Sequence, residues 1–316
     1  MKGQAAVVII ILVVVGVAIY FFWPQISQLF PPSGNGGVVT PEYKNDIMEI
    51  QDIYISNLKP YAGTKVQIKF WIKNNGDREV EKVKVNFYNL PGFENPEISC
   101  ELPSEPSTTH SCVLENMGSL DQREVSLTLD ASKEIMAKPE AFKISYSIEY
   151  NYPGYRIANI PFIDGVTRTH PMNKFSESGA NYGPIVLNFE LQVRKEINVG
   201  EQVIKEHWAE PNLPFEVTFN FKDVVGKASP KVNILNESIR LNVSQFLTKT
   251  EPCDFKIKND ILISTKDVLV PGKLICFFIN SSAIDQPETL VSIKAEFNYT
   301  YKFGGSKTFT IQPLPE

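Results

Sequence analysis

The chain has little histidine, little cysteine and no excess of positive charge. Of its 316 residues, three are His and four are Cys, which is too few for a rich metal centre. Lys and Arg together number 31 against 36 Asp and Glu, giving a net charge of −5. A nucleic-acid binder needs a cationic face that displaces counterions from phosphates. The composition therefore argues against a nucleic-acid partner and predicts neither a metal nor a cofactor.

Sequence motifs for catalysis are missing as well. His110, His170 and His207 are far apart, and none lies in an HExxH pattern. The chain contains no GxSxG elbow and no glycine-rich loop that would cradle a phosphate. These absences favour a non-enzymatic protein. An extracytoplasmic enzyme with an unrecognised site is the weaker alternative.

One long apolar run stands near the start of the chain. Residues 5–23 contain no charged side chain, and Pro24 follows them. A helix of that length spans roughly 29 Å, close to the ~30 Å thickness of bilayer hydrocarbon. Lys2 flanks one side, whereas the next cation on the other side is Lys44, so the positive-inside rule places residues 1–4 in the cytoplasm. The sequence predicts a single-pass protein of the cell membrane, with the lipid bilayer as a partner and most of the chain outside.

The residues before the apolar run suggest processing. Lys2-Gly3-Gln4, followed directly by that run, resembles the archaeal class III (type IV pilin-like) signal. The resemblance implies cleavage after Gly3, with Gln4 as the mature N-terminus and the helix retained. Many pilins carry Glu at the fifth mature position, where this chain has Val8. A cleaved secretory signal is the rival, but the run lacks the small-residue cleavage site that such a signal requires.

Beyond the apolar run, the chain divides into a tether and a β-rich exterior. Residues 24–42 are broken by Pro and Gly and show no hydrophobic period, which predicts a flexible tether. From residue 43 onward, apolar residues recur at every second position, for example in Val66, Ile68, Phe70 and Ile72. That alternation indicates strands with one buried face. About seven such strands in ~120 residues is the density of an immunoglobulin-like sandwich.

The second half of the exterior repeats the first. Adding 149 to the core positions Val66–Ile72 gives the core positions Phe215–Phe221, and the Tyr150-x-Tyr152 pair maps onto Tyr299-x-Tyr301. This shared offset predicts an all-β exterior of two tandem immunoglobulin-like sandwiches, although two unrelated β domains would be an alternative. The expected divisions are domain 1 at 43–164, a linker at 165–183 and domain 2 at 184–316. The first strands break the register, which predicts an insertion around 197–210.

Three short segments of the first unit match one family. Tyr61-Ala62-Gly63, Asn74-Asn75-Gly76 and Val83-Lys84-Val85 resemble the CARDB-like and related Ig-like modules of prokaryotic surface proteins. The resemblance implies a β-sandwich and an extracellular binding or spacer role. It transfers no catalytic residue, because such modules have none.

The four cysteines fit an outside location. Cysteines beyond a membrane segment favour disulfides, and three pairings can be drawn. Pairing within each unit, Cys100 with Cys112 and Cys253 with Cys276, is the simplest because each bond closes a short loop. A metal site is the weaker alternative, since neither pair has CxxC spacing.

Asn-x-Ser/Thr sequons occur only in the second unit. The four candidate glycosylation sites are Asn236, Asn242, Asn280 and Asn298. Asn242 and Asn298 are the stronger candidates because strand alternation places them on the polar face, and a glycan needs that exposure.

Two tryptophans are the candidate binding aromatics. Trp71 alternates out of phase with the core of its strand, and Trp208 lies beside His207 in the expected insertion. Exposed aromatic rings can stack on sugars or pack against a partner. For Trp71, cover by the tether or by the neighbouring domain is the alternative.

These features together predict a non-enzymatic, membrane-anchored surface protein for adhesion or envelope interaction. Its expected partner is another surface protein, the envelope lattice or a polysaccharide. The alternative is a type IV pilin-like or archaellum-stator-like subunit processed after Gly3. Pro24 and the flexible tether count against filament assembly, because a pilin helix usually continues into its head.

Overall fold

The computed structural model describes residues 44–101, 110–133, 138–164, 171–179, 182–192, 194–199, 202–280 and 287–314. The predicted cytoplasmic N-terminus, apolar helix and tether, together with the processing site at Gly3 and Gln4, lie outside these residues. Among the residues described, no helix has the length and apolar character needed to cross a membrane.

The described chain is all-β, as the alternating patterns predicted. In chain order, its strands are β1 (Met48–Ile55), β2 (Lys65–Asn74), β3 (Val80–Tyr88), β4 (Phe93–Cys100), β5 (Ser111–Met117), β6 (Gln122–Ala131), β7 (Glu140–Ile163), β8 (Ser176–Ser178), β9 (Ile185–Leu191), β10 (Lys195–Val199), β11 (Gln202–Glu206), β12 (Phe215–Asp223), β13 (Asn233–Ile234), β14 (Ile239–Val243), β15 (Leu247–Cys253), β16 (Phe255–Lys258), β17 (Ile261–Ser264), β18 (Val268–Leu269), β19 (Gly272–Asn280) and β20 (Glu288–Ile311).

Two four-stranded sheets pack against one large sheet. The small sheets have the strand orders β1-β2-β6-β4 and β9-β12-β19-β15, and the large sheet runs β16-β17-β14-β20-β7-β3-β5 with β8 beside β7. Alternate apolar residues of each strand fill the space between the layers, as in β2, where Val66, Ile68, Phe70 and Ile72 are buried. Aromatic rings meet across the layers, with Phe70 5.8 Å from Phe87. The halves are therefore β-sandwiches.

The two small sheets are alike in topology. Their strand orders correspond one to one, with β1 matching β9 and β2 matching β12. The predicted insertion at 197–210 coincides with a separate antiparallel hairpin of β10 and β11, which follows β9 and precedes β12. The hairpin accounts for the shorter offset between the first strands of the two halves.

Strands β7 and β20 each begin in one half of the molecule and end in the other, an arrangement that we call the exchange. Each has 24 residues, and they pair antiparallel along their whole length, from Glu288 opposite Ile163 to Ile311 opposite Glu140. The first part of β7 pairs with β3, whereas its last part packs Phe162 on Phe215 of the second half at 5.3 Å. The first part of β20 pairs with β14, whereas Phe309 near its end contacts Phe93 of the first half at 5.5 Å.

The exchange joins the halves into one body. Residues from Tyr43 onward form a single compact unit, and the large sheet runs through both halves. The predicted linker at 165–183 separates the halves in sequence, yet each core is completed by a strand segment from the other side of that linker. The chain therefore brings side chains of both halves together where β7 and β20 cross.

Candidate functional site

Four tyrosines lie at the midpoint of the β7–β20 pair, where each strand passes from one half of the molecule into the other. We call this midpoint the crossing. Tyr150 lies opposite Tyr301, and Tyr152 lies opposite Tyr299. Between these pairs, Thr300 Oγ1 donates a hydrogen bond of 2.6 Å to Asn151 Oδ1, and these two residues are separated by the 149-residue repeat itself. The crossing is thus a local centre of twofold pseudo-symmetry.

The buried hydroxyls at this centre anchor two loops. Tyr152 Oη donates to Asp77 Oδ1 at 2.9 Å, in the loop that follows β2. Tyr301 Oη donates to the carboxylate of Asp223 at 3.3 Å, at the end of β12. Burial, together with the hydrogen bond to Asp77, raises the pKa of Tyr152 well above its ordinary value. Burial and the nearby Asp223 carboxylate have the same effect on the pKa of Tyr301.

A groove lies beside the crossing, on the outer face of the large sheet. Its volume is about 490 Å³. It is lined by Arg78, Pro153, Gly154, Tyr155, Ile157, Ser238, Arg240, Lys294, Glu296, Phe297 and Asn298. A second depression of about 770 Å³ shares Pro153, Ser238 and Asn298 with it. We call the first depression the arginine groove and treat the second as its extension.

Cations surround an aromatic ring in the arginine groove. The guanidinium carbon of Arg78 lies 5.0 Å from the centre of the Tyr155 ring, and Lys294 Nζ lies 5.7 Å from the same point. Lys294 also forms an ion pair with Glu296. Within the described part of the chain, Arg78 and Arg240 have no carboxylate partner. Two unpaired guanidinium groups therefore make the groove attractive to an anion.

The position of Arg78 is set by a buried asparagine. Asn74, at the end of β2, is fully buried, and its side-chain amide donates to the carbonyls of Arg78 at 2.8 Å and Met117 at 2.9 Å. The Asn74 side-chain oxygen accepts a hydrogen bond from the Gly76 amide. The Asn-Asn-Gly turn seen in the sequence thus fixes the loop that carries Arg78 to the groove.

The predicted cysteine pairs both lie at disulfide distance. Cys100 of β4 is joined to Cys112 of β5, which links a small sheet to the large sheet in the first half. Cys253 of β15 is joined to Cys276 of β19 within the small sheet of the second half. Among the residues described, no group of three or more His, Cys, Asp or Glu side chains is placed to hold a metal ion.

The four sequons differ in exposure. Asn236, Asn242 and Asn298 are exposed. Asn280 is only 2% exposed, so its prediction as a glycan site is wrong for the folded chain. The reason is the strand period, because Asn280 shares the inward face of β19 with Cys276 and Phe278. That phase was visible in the sequence and would have excluded this asparagine.

The two tryptophans lie apart from the groove. Trp71 is half-buried on the outer face of β2, opposite Gln51 and Glu124. Trp208 is only 7% exposed, so its prediction as an exposed aromatic is wrong.

Contacts made by the residues on both sides of Trp208 explain its burial. His207 Nδ1 lies 2.7 Å from the carbonyl oxygen of Leu191, and the amide of Ala209 donates to the carbonyl of Pro161 at 2.9 Å. These contacts hold the segment against the neighbouring strands.

Sequence reasoning missed Arg78, Tyr155 and Arg240. They belong to three separate segments, and nothing local distinguishes them from other exposed strand or turn residues. Only the pairing of β7 with β20, and of β20 with β14, brings the segments together.

Comparisons with known proteins give no family. No family model matches the chain, and no curated protein is similar to it. Among solved structures, chitinase ChiA74 from Bacillus thuringiensis aligns at 11% identity, covering 79% of this chain and 30% of that chain, with a TM-score of 0.19.

Two adhesin structures align over most of both chains. The MSCRAMM ACE of Enterococcus faecalis, described as binding its ligands by the collagen hug model, aligns at 8% identity over 87% of this chain and 98% of that chain, with a TM-score of 0.20. Collagen adhesin CNA from S. aureus aligns at 8% identity over 87% and 97%, with a TM-score of 0.14. Likenesses this weak carry no argument about this protein.

Proposed function

We propose that the chain is a non-enzymatic cell-surface protein that uses the arginine groove to attach to another component of the cell envelope or of a neighbouring cell. The observation that carries this proposal is the groove itself. Residues from both halves line it, two of its guanidinium groups have no carboxylate partner in the described chain, and it lies beside a crossing fixed by buried hydrogen bonds. A rigid, charged surface of this kind suits binding of a partner.

Cosedimentation with isolated cell envelopes tests this function. We expect the full chain to bind envelopes saturably and to leave their sugar and peptide bonds intact. The double variant Arg78→Gln/Arg240→Gln, which keeps the apolar segment, is the control and should bind more weakly. Release of soluble envelope fragments over time, abolished by one point substitution, would instead identify an enzyme.

Anchoring by residues 5–23 is part of the proposal. Support comes from the uncharged run and the cation asymmetry around it. Protease added to intact cells should digest the body of the chain, and membrane fractions should retain the apolar segment. N-terminal sequencing that begins at Gln4, together with filaments in negative stain, would favour the pilin-like alternative.

Glycans are expected on the exposed sequons whose asparagine does not line the groove. Asn236 and Asn242 satisfy the exposure requirement, whereas Asn280 does not. Glycopeptide mass spectrometry of native material should find modified Asn236 or Asn242 and unmodified Asn280. A glycan on Asn280 would show that modification precedes folding. Asn298 is exposed too, but a glycan there would enter the arginine groove.

A further inference from the structure

We propose that the ligand of the arginine groove is an acidic polysaccharide whose carboxylate or sulfate groups pair with Arg78 and Arg240. This inference rests on the proposed function, because it names the class of envelope component that the groove holds. The two arginines come from different halves, Arg78 from the loop after β2 and Arg240 from β14. A ligand held by both therefore lies across the strands that join the halves.

Charge is the first argument for an anionic ligand. The arginine groove is lined by three cations, Arg78, Arg240 and Lys294, against one carboxylate, that of Glu296. The whole chain carries a net charge of −5, so this local surplus runs against the protein's average. A guanidinium presents a planar fork of N–H donors that matches carboxylate and sulfate oxygens. Glu296 is paired with Lys294, and although Arg240 lies opposite Glu296 in the β14–β20 register, it forms no ion pair with that carboxylate in the described chain.

The remaining lining favours a sugar polymer over an acidic peptide. Tyr155 offers an aromatic ring, while Ser238 and Asn298 offer the hydroxyl and amide groups that hydrogen-bond to sugar hydroxyls. The floor consists of strands already paired with one another, β20 with both β7 and β14. Along residues 293–297, β20 is paired on both sides, so this part of the floor offers no free strand edge to which an extended peptide can add.

The extension of the groove indicates a polymer rather than a single small anion. It adds about 770 Å³ beyond the arginine end and is continuous through Ser238 and Asn298. Its lining includes Glu79 and Glu81 with Lys82, so the surplus of cations ends there. The acidic groups of the ligand consequently lie at the arginine end, and uncharged sugar units run past the carboxylates.

Binding of defined polymers tests the inference. The full chain, produced in a host without N-glycosylation, is titrated with polygalacturonate, dextran sulfate and neutral dextran, and the Kd is measured at fixed salt. We expect both polyanions to bind and neutral dextran not to bind, and the tighter polyanion identifies the preferred acidic group. The double variant Arg78→Gln/Arg240→Gln should weaken polyanion binding at least tenfold. Tyr155→Leu should weaken it with both arginines in place.

A matched control removes two charges elsewhere. Lys65 and Lys307 are exposed and lie outside the groove, so Lys65→Gln/Lys307→Gln should leave the Kd within about twofold. Equal weakening by the lysine pair would show general charge attraction and overturn the inference. All variants are compared at equal thermal stability. If the double arginine variant has a changed Tm, the test depends on Tyr155→Leu. Unchanged polyanion binding by Tyr155→Leu would then overturn the inference.

Three other results would also overturn the inference. One is envelope binding by the full chain without binding of either polyanion, which would leave the proposed function standing. Another is poly-glutamate binding as tightly as polygalacturonate, which would point to an acidic protein instead. The third is full glycan occupancy of Asn298 in native material, because that glycan would fill the groove. Failure of envelope binding as well would remove the proposed function itself.

Discussion

At the scale of single residues, the molecule depends on buried tyrosines that are hydrogen-bonded to carboxylates. Tyr152 and Tyr301 occupy equivalent places in the two halves, and each donates its hydroxyl to an aspartate at the end of a core strand or in the loop after it. A buried phenol is costly without a partner, so these bonds tie loops to the crossing. Asp77 precedes Arg78, so the Tyr152 bond also supports the arginine groove.

Replacing Tyr152 with Phe tests this bond. We expect Tyr152→Phe to lower the free energy of unfolding by about 1.5 kcal/mol or more, because the Asp77 carboxylate loses its donor. Urea denaturation measures the change. Tyr150→Phe is the matched control, since the Tyr150 hydroxyl has no hydrogen-bond partner among the residues described, and its loss should be close to neutral. Equal effects of the two substitutions would contradict this role.

Alkaline pH should unfold the protein through the same tyrosines. The pKa of Tyr152 and the pKa of Tyr301 are raised, mainly because burial disfavours the phenolate. A group whose pKa is higher in the folded chain contributes stability that is complete below its unfolded pKa of 10.0 and is lost as the pH rises above it. We expect tyrosine absorbance and circular dichroism to change together above pH 10. Early, non-cooperative ionisation of every tyrosine would contradict the burial.

At the scale of elements, the pairing of β7 with β20 includes a close approach that only glycine allows at position 154. Gly154 lies opposite Phe297, and a Cβ at Gly154 would overlap the Phe297 ring. The ring in turn packs edge-on against Phe221 of β12 at 5.3 Å. The glycine therefore leaves room for the Phe297 ring in the observed register of β7 and β20.

Gly154→Ala should accordingly destabilise the fold by about 1–3 kcal/mol, the usual cost of overpacking. Thermal or urea unfolding measures the loss. Gly118→Ala is the control, because nothing lies within 4 Å of the Cβ it would add. Phe297→Leu in the Gly154→Ala background should recover part of the loss, and a fully additive double variant would argue against the steric cause.

At the scale of the whole molecule, the exchanged strands make the halves interdependent. The second part of β7 completes the core of the second half, and the second part of β20 completes that of the first. Removing β7 would uncover Phe215, and removing β20 would uncover Phe93, both of which are now buried. Each half therefore needs a strand segment from the other half to complete its core.

Separate production of the halves tests this dependence. We expect fragments 43–164 and 184–316 to lack cooperative unfolding on their own and to regain it when refolded together in equal amounts. Circular dichroism and urea titration measure this outcome. The full chain should unfold in one transition by both probes. A cooperative transition in either isolated fragment would show that the exchange is dispensable.

The sequence by itself determined the strand content, the buried faces and the repeat. Alternation at Val66–Ile72 and at Phe215–Phe221 depends only on residues near each other in the chain, and it identifies the core faces found in β2 and β12. The short loops between cysteines likewise favoured the pairs that the structure brings together. The same period, applied to β19, was enough to exclude Asn280.

The tertiary structure alone decided which half each long strand serves and where the groove lies. Strands β7 and β20 each have 24 residues, and their alternation of buried and exposed side chains would be the same whether they stayed in one sandwich or continued into the other. The alternation of side chains along a strand carries no information about which distant strand it pairs with. Arg78, Tyr155 and Arg240 look like ordinary exposed residues until β20 pairs with β7 on one side and β14 on the other. Long-range strand pairing therefore created the site from residues that carry no local signal.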